Sequence, residues 1–270
     1  MARPPRMFPV RSLAAAIVSA LTVVVLGPAC AWNPDTARPT EDSAAPTDAP
    51  AEAPAAAGSA TPTPAGPPAD LLRRPIVWNA EREALTQAYL AHHTSIELSG
   101  DPHQDSHMTP RVIVVHWTAG PTARSARATF LAPRQAHSKR RARWNLLNLS
   151  SHFVVERDGT PLQLMETDRV GRHTIGLNHL SVGIENVGDR RTWPLTRSQV
   201  EANAALVRWL VATHPTITHL IGHYEYRNFE GHPYFDDRTR FRTGRADPGR
   251  PFMQALRHEV ADLGLAGAPE

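Results

Sequence analysis

The sequence predicts an α/β fold, a mixed central β-sheet flanked by helices, held in one folded domain over residues 76–265. Two observations predict it. Short β-branched runs alternate with stretches of helical period along that span, as in a sheet covered on both faces. The composition also changes sharply near residue 75, from Ala, Pro, Thr and Ser to a patterned mixture of apolar and charged residues.

The 270 residues leave room for one or two domains. A formal charge of +3, from 29 Lys and Arg against 26 Asp and Glu, is too small and too dispersed to imply a nucleic-acid partner. The unusual count is 14 His, because histidine is the commonest metal ligand and titrates near neutral pH.

Residues 1–30 read as an export signal. Arg3, Arg6 and Arg11 precede an apolar run from Leu13 to Leu26, a basic region followed by a hydrophobic one. The run falls short of the roughly 20 residues that span a bilayer. The single cysteine, Cys30, follows at once in Leu26-Gly27-Pro28-Ala29-Cys30. This resembles a bacterial lipoprotein signal, in which the cysteine carries lipid and becomes the new N-terminus, so Cys30 is the expected lipid anchor. Leu26 lies one place further from the cysteine than usual and Pro28 is atypical. A plain signal-peptidase site beside a chance cysteine is therefore the alternative. A lone thiol has no internal disulfide partner, which favours the anchor. Ala31 is not the Asp of an inner-membrane retention signal, so the expected address is the periplasm or cell envelope, at the outer membrane.

Residues 31–75 are expected to be a disordered, Pro/Ala-rich linker, since they hold almost no large apolar side chain with which to offset ordering entropy. Fully extended at about 3.1 Å per residue, such a tether reaches on the order of 100 Å.

Globular patterning begins at Ile76. Asn79 stands where it can cap a helix to about His93, and Arg111 to His116 is a β-branched strand. Residues 121–150 are basic and helical or looped, with Lys139, Arg140 and Arg141 in sequence. His152 to Glu156, the turn pair Asp158-Gly159 and Pro161 to Met165 give a hairpin. Ser181 to Glu185 is a further strand. Thr196-x-x-Gln199 is a capping box opening a helix to about Thr213, with Val200, Ala204, Val207 and Val211 on one face. Ile217 to Ile221 reads as a short strand and Phe252 to Leu263 as a final amphipathic helix.

Three polar residues stand where strands end or a turn begins. His116 closes an apolar strand, His223 follows Leu220-Ile221-Gly222, and Asp247 opens Asp247-Pro248-Gly249. Two imidazoles and a carboxylate, with a fourth position for water, make up the donor set of a catalytic zinc site. Their spacing is wide and no H-E-x-x-H is present, so spacing alone leaves each histidine open to an ordinary structural role. Glu185 shares one strand face with Gly183 and Ser181, small neighbours that leave space before the carboxylate. A group so placed can take a proton from water and return it to a leaving nitrogen; an ion-paired strand glutamate is the alternative.

The segments RVIVVHWTAG, SSHFVVERDG, the histidine of RHTIG, SVGIENVG, LIGHYEY and GRADPGRPF occur in the order seen in zinc amidases of the N-acetylmuramoyl-L-alanine amidase type 2 family. The chain resembles that family over roughly residues 76 to 263. The family is related to peptidoglycan recognition proteins. The resemblance implies a single amidase type 2, peptidoglycan recognition protein-like domain. It would cleave the amide between the lactyl group of N-acetylmuramic acid and L-alanine, in peptidoglycan or muropeptides. It implies Zn2+ as cofactor, with His116, His223 and Asp247 as ligands and Glu185 as the carboxylate that activates water.

His152, His173, Trp117 and Tyr224 are the expected substrate-pocket residues. Family members frequently carry Lys two residues before the last ligand, where this chain has Arg245. Arg keeps the charge and offers a fork of donors, so Arg245 is the second expected catalytic residue, steadying the oxyanion. Between His223 and Asp247 a long loop is expected beside the cleft, where Glu225, Tyr226 and Arg242 could also touch substrate or simply be solvated. Signal, tether and domain together resemble outer-membrane lipoprotein amidases, a monomer held at the membrane by its lipid. The competing readings are a non-catalytic peptidoglycan-binding module of the same fold, a zinc peptidase or deacylase acting on another amide, and a tethering lipoprotein whose basic segment 138–143 grips anionic polymer.

Overall fold

The computed structural model describes residues 66–135 and 146–270; the export signal, Cys30, most of the expected linker and the basic segment 138–143 lie outside the described residues. Within them the strands are β1 (Leu72–Arg73), β2 (Val112–Trp117), β3 (Phe153–Val155), β4 (Pro161–Gln163), β5 (Ser181–Asn186) and β6 (His219–Gly222). They form one mixed sheet in the order β1-β4-β3-β5-β2-β6. The centre is parallel, β3 on β5, β5 on β2 and β2 on β6, while β4 runs antiparallel to β3. Val112 to Val115 have no exposed surface. That is why β2 reads as an unbroken apolar run, as a parallel strand covered on both faces must.

The helices are α1 (Ala80–His93), α2 (Pro102–Asp105), α3 (Ala123–Phe130), α4 (Arg197–Thr213) and α5 (Arg250–Glu259), with 3-10 turns at His223–Phe229 and Ala261–Leu263. Local chemistry sets where they start. The Asn79 side chain accepts from the Arg82 N–H, and Thr196 and Gln199 close both halves of the capping box on α4. Packing fixes which face each helix covers. Val200, Val207 and Leu210 of α4, with Phe252, Met253 and Leu256 of α5, bury Ile113, Val115, Val182 and Ile184. The alternate residues of β2, Val112 and Val114, face Ile221, Tyr226 and Phe229 on the opposite side, and α3 covers Val154 through Ala126 and Phe130. The expected sheet with helices on both faces is therefore present.

Arg82 is wholly buried, and its guanidinium donates to the carbonyls of Val77, Phe130 and Ala132, tying α1 to the end of α3. Burial lowers its pKa to about 10.

Two boundaries differ from the sequence expectation. Strand β1 lies inside the stretch expected as linker, and backbone bonds from Arg74 to Gln163 and from Ile76 to Leu164 continue it. Leu72 and Arg73 are both exposed, so this pairing is made by backbone alone and leaves no apolar pattern to read. At the other end, the N–H of Leu220 donates to Ala266 and that of Ala266 to Thr218, so order runs past residue 265. No helix among the described residues is long and apolar enough to cross a membrane.

Candidate active site

The site is assembled at the carboxyl ends of the central parallel strands, where open α/β sheets place their ligand crevices. In the β2–β5 register, His116 lies opposite Glu185. The alternation of side chains puts both on the face that carries Val114 and Gly183. On the other flank Val115 pairs with Gly222 at the end of β6, so the next residue, His223, arrives beside His116. Asp247 comes from the loop before α5, its carbonyl accepting from the N–H of Tyr224. Residues 107 and 131 positions apart in sequence are thereby joined to one centre.

His116 Nδ1 lies 2.9 Å from His223 Nδ1 and 3.2 Å from Asp247 Oδ2, and His223 Nδ1 lies 2.9 Å from the same oxygen. Hydrogen bonds alone cannot close such a triangle, because its three edges need three protons and an ionised carboxylate brings none. Donor atoms of a tetrahedral zinc ion, with bonds near 2.0 Å, stand roughly 3.3 Å apart, close to the observed edges. Burial pushes the Asp247 carboxyl up, but the two imidazoles beside it outweigh that and hold the group well below the usual carboxylate range. Burial, with repulsion from His116, lowers His223 to about 4. A neutral imidazole facing an ionised carboxylate is the protonation state that a zinc ligand set requires, and the three buried residues form the one such group among the described residues.

Glu185 is 9% exposed, and its Oε2 has no hydrogen-bond partner. Burial raises its pKa to about 7, aided by Asp247 and opposed by His116 and Arg245. A carboxyl poised there exchanges a proton readily near neutral pH. Arg245 is exposed on the rim and lines the same cavity as Glu185 and the three metal-ligand candidates.

The space expected beside Glu185 is filled. A Cβ on Gly183 would come within 2.7 Å of Ser151 Oγ and 3.0 Å of the His173 ring, so the glycine lets His173 in rather than leaving an open hollow. His173 faces the cavity, with Nδ1 3.1 Å from His116 Nε2. Burial, with His116 and His152 alongside, holds its imidazole well below the usual value.

Trp117 also lines the cavity, but His152 does not. That side chain is wholly buried, accepting from the Gly183 N–H at Nδ1 and donating from Nε2 to the Arg169 carbonyl. It sits behind the site as a brace between β5 and the 169 loop, since two backbone partners saturate its ring.

Two cavities meet at the centre. One, of about 310 Å³, holds His116, His173, Glu185, His223 and Asp247, with Phe130, Leu149 and Arg172 on its far wall. The other, of about 830 Å³, runs past Tyr224, Leu195, Arg190 and Arg250. Trp117 and Arg245 belong to both. Tyr224 thus lines the neighbouring groove rather than the metal cavity.

Of the other loop candidates, Glu225 is tied to Arg257 and to the Gly222 N–H, and the Tyr226 hydroxyl donates to the Thr243 carbonyl. Arg242 pairs with Asp237. These three hold the loop in place. The cavity residues Arg172, Leu149 and Phe130 escaped sequence reasoning, because they come from irregular or helical segments with no chemical signature of their own.

The family model described as N-acetylmuramoyl-L-alanine amidase matches residues 106–250. No curated protein matches the chain. Among solved structures, the chain is similar to the endolysin N-acetylmuramoyl-L-alanine amidase LysCS from Clostridium intestinale URNW. Identity there is 21% over 73% of this chain and 96% of that one, with a TM-score of 0.41. A selenomethionine derivative of AmpD is 22% identical over 73% of this chain and 97% of its own, with a TM-score of 0.44. Human PGRP-IBETAC, in complex with glycosamyl muramyl pentapeptide, is 18% identical over 56% of this chain and 85% of its own, with a TM-score of 0.40.

Proposed function

This chain belongs to the N-acetylmuramoyl-L-alanine amidase family, and from that premise we propose that it is a zinc-dependent hydrolase of one amide bond in muropeptides. The bond is that between the lactyl group of N-acetylmuramic acid and L-alanine. The observation that carries the proposal is the convergence of His116, His223 and Asp247 on one point, with Glu185 in the same cavity.

His116, His223 and Asp247 would hold the zinc. When bound, the ion supplies Lewis acidity, acidifying water and polarising the scissile carbonyl. Glu185 takes the proton of the attacking water, and its raised pKa lets it release that proton to the departing alanine nitrogen. Arg245, with its charge at the cavity rim, steadies the negative oxygen of the tetrahedral intermediate. Trp117, shared by the two cavities, lies where the cleaved bond joins the two halves of the substrate. The larger groove and the metal cavity take one half each. Among the described residues that line the metal cavity there is no cysteine or serine, and attack by water is direct.

The test is to load the purified protein with one equivalent of zinc, incubate it with purified muropeptides and follow release of stem peptide by mass spectrometry. Release that chelation abolishes and zinc restores is expected. One bound zinc with no amide cleaved would leave a peptidoglycan-binding module instead.

The same reading places the enzyme in the cell envelope, on the periplasmic side of the outer membrane, as a monomer tethered through a lipid on Cys30. What supports this is the signal-like run before Cys30 and the Pro/Ala-rich sequence behind it. Cys30→Ser should move the protein from the membrane fraction to the soluble one; unchanged fractionation would remove the anchor from the proposal.

A further inference from the structure

Beyond the ligands lies a chain of hydrogen bonds that decides which nitrogen of His116 is free. The Ser181 carbonyl lies 3.2 Å from His173 Nε2, and a carbonyl only accepts, so Nε2 carries the His173 proton. No carboxylate is among the hydrogen-bond partners of the ring, which are Thr174 Oγ1, the Ser181 carbonyl and hydroxyl and His116. A second proton would therefore be an uncompensated charge. His173 Nδ1 then carries no proton and only accepts, with Thr174 Oγ1 at 2.9 Å and His116 Nε2 at 3.1 Å, the two rings at 87°. A proton on His116 Nε2 makes its contact with His173 a hydrogen bond, while the carboxylate of Asp247, 3.2 Å from His116 Nδ1, has its shorter donor in His223 Nδ1 at 2.9 Å.

We propose that His173 is a positioning residue, which fixes His116 in the Nε2–H tautomer and so leaves the Nδ1 lone pair facing His223 and Asp247. The inference rests on the metal-centre reading above and gives His173 a task distinct from touching substrate. The partner that holds a metal-binding imidazole by its other nitrogen is here a second imidazole, itself anchored on backbone. Two glycines make this possible. A Cβ on Gly171 or on Gly183 would stand 3.0 Å from the His173 ring, so any larger residue at either position displaces it.

The experiment has two arms on the full chain. In the metal-free wild-type protein, 15N spectra of the histidine rings report which nitrogen of His116 is protonated, and Nε2–H is expected. In the second arm, zinc affinity is measured by competition with a chelator for wild type, His173→Phe and His173→Gln. Loss of the acceptor in His173→Phe should weaken zinc binding about 10–100-fold. His173→Gln, whose side-chain oxygen can accept from His116, should recover most of it. A His116 protonated on Nδ1 in the wild type would overturn the proposal, as would equal zinc affinity in wild type and His173→Phe. Should His173→Phe fail to fold, the ring spectra of the wild type still decide. Failure of the wild type to bind zinc at all would instead overturn the metal-centre reading and leave the tautomer question to the first arm.

Discussion

Replacing Glu185 by Gln should cost activity and, in the metal-free protein, gain stability relative to the wild type as pH rises from about 5 to about 8. Glu185 is buried with one oxygen unpartnered, and its pKa rises from 4.5 to about 7 on folding. For a carboxyl whose folded value is raised, the native state holds the proton more tightly. The stabilisation is complete below the unfolded value and is lost as pH rises through the folded one. One pKa unit corresponds to about 1.4 kcal/mol. Between about pH 5 and about pH 8 the wild type should therefore lose about 2.5 kcal/mol through this group. Gln has no charge to bury at either pH, so the stability difference between variant and wild type should change by that amount, while other titrating groups largely cancel. Urea unfolding of both metal-free proteins, followed by circular dichroism across this range, measures it. A difference that stays constant with pH would refute the picture of an uncompensated buried carboxyl. In the zinc-loaded enzyme the same substitution should lower kcat by about 10²–10⁴-fold.

Arg245→Ala should reduce kcat about 10²-fold with little change in KM, and Arg245→Lys should retain most activity if charge rather than the guanidinium fork matters; steady-state kinetics on a muropeptide separate the two. His152, lowered to about 4 by burial, is a base whose folded value is depressed. Its contribution is present above its ordinary value of 6.5 and lost as pH falls through 4. Metal-free unfolding measured in acid should show this as a loss of about 3 kcal/mol that His152→Gln removes. Thr196→Ala breaks the capping box of α4 and should lower stability by about 1 kcal/mol, as read by thermal unfolding.

Much of the fold was legible because local rules and burial agree. The Asn79 cap and the Thr196 box state where α1 and α4 begin, and the apolar run of β2 states a strand covered on both sides. The basic stretch around residue 138 gave no such signal and lies outside the described residues. Strand β1 was missed because exposed Leu72 and Arg73 join the sheet through backbone alone. His116, His223, Asp247 and Glu185 were named from sequence as candidates, yet nothing in their spacing says that they meet. The loop candidates Glu225, Tyr226 and Arg242 were named as readily, and they turned inward to brace the chain.

The sequence by itself determined the α/β class, the order of the longer elements and which residues are chemically able to do the work, since propensity, caps and strand alternation act over a few residues. Tertiary structure decided everything that depends on register. Parallel pairing of β5, β2 and β6 sets Glu185, His116 and His223 side by side, and the loop before α5 brings Asp247 to them. It also separated two histidines that look alike in sequence, sealing His152 on two backbone groups and setting His173 against His116. Contacts of that kind join residues far apart in the chain, and their geometry exists only once the sheet has closed its hydrogen bonds.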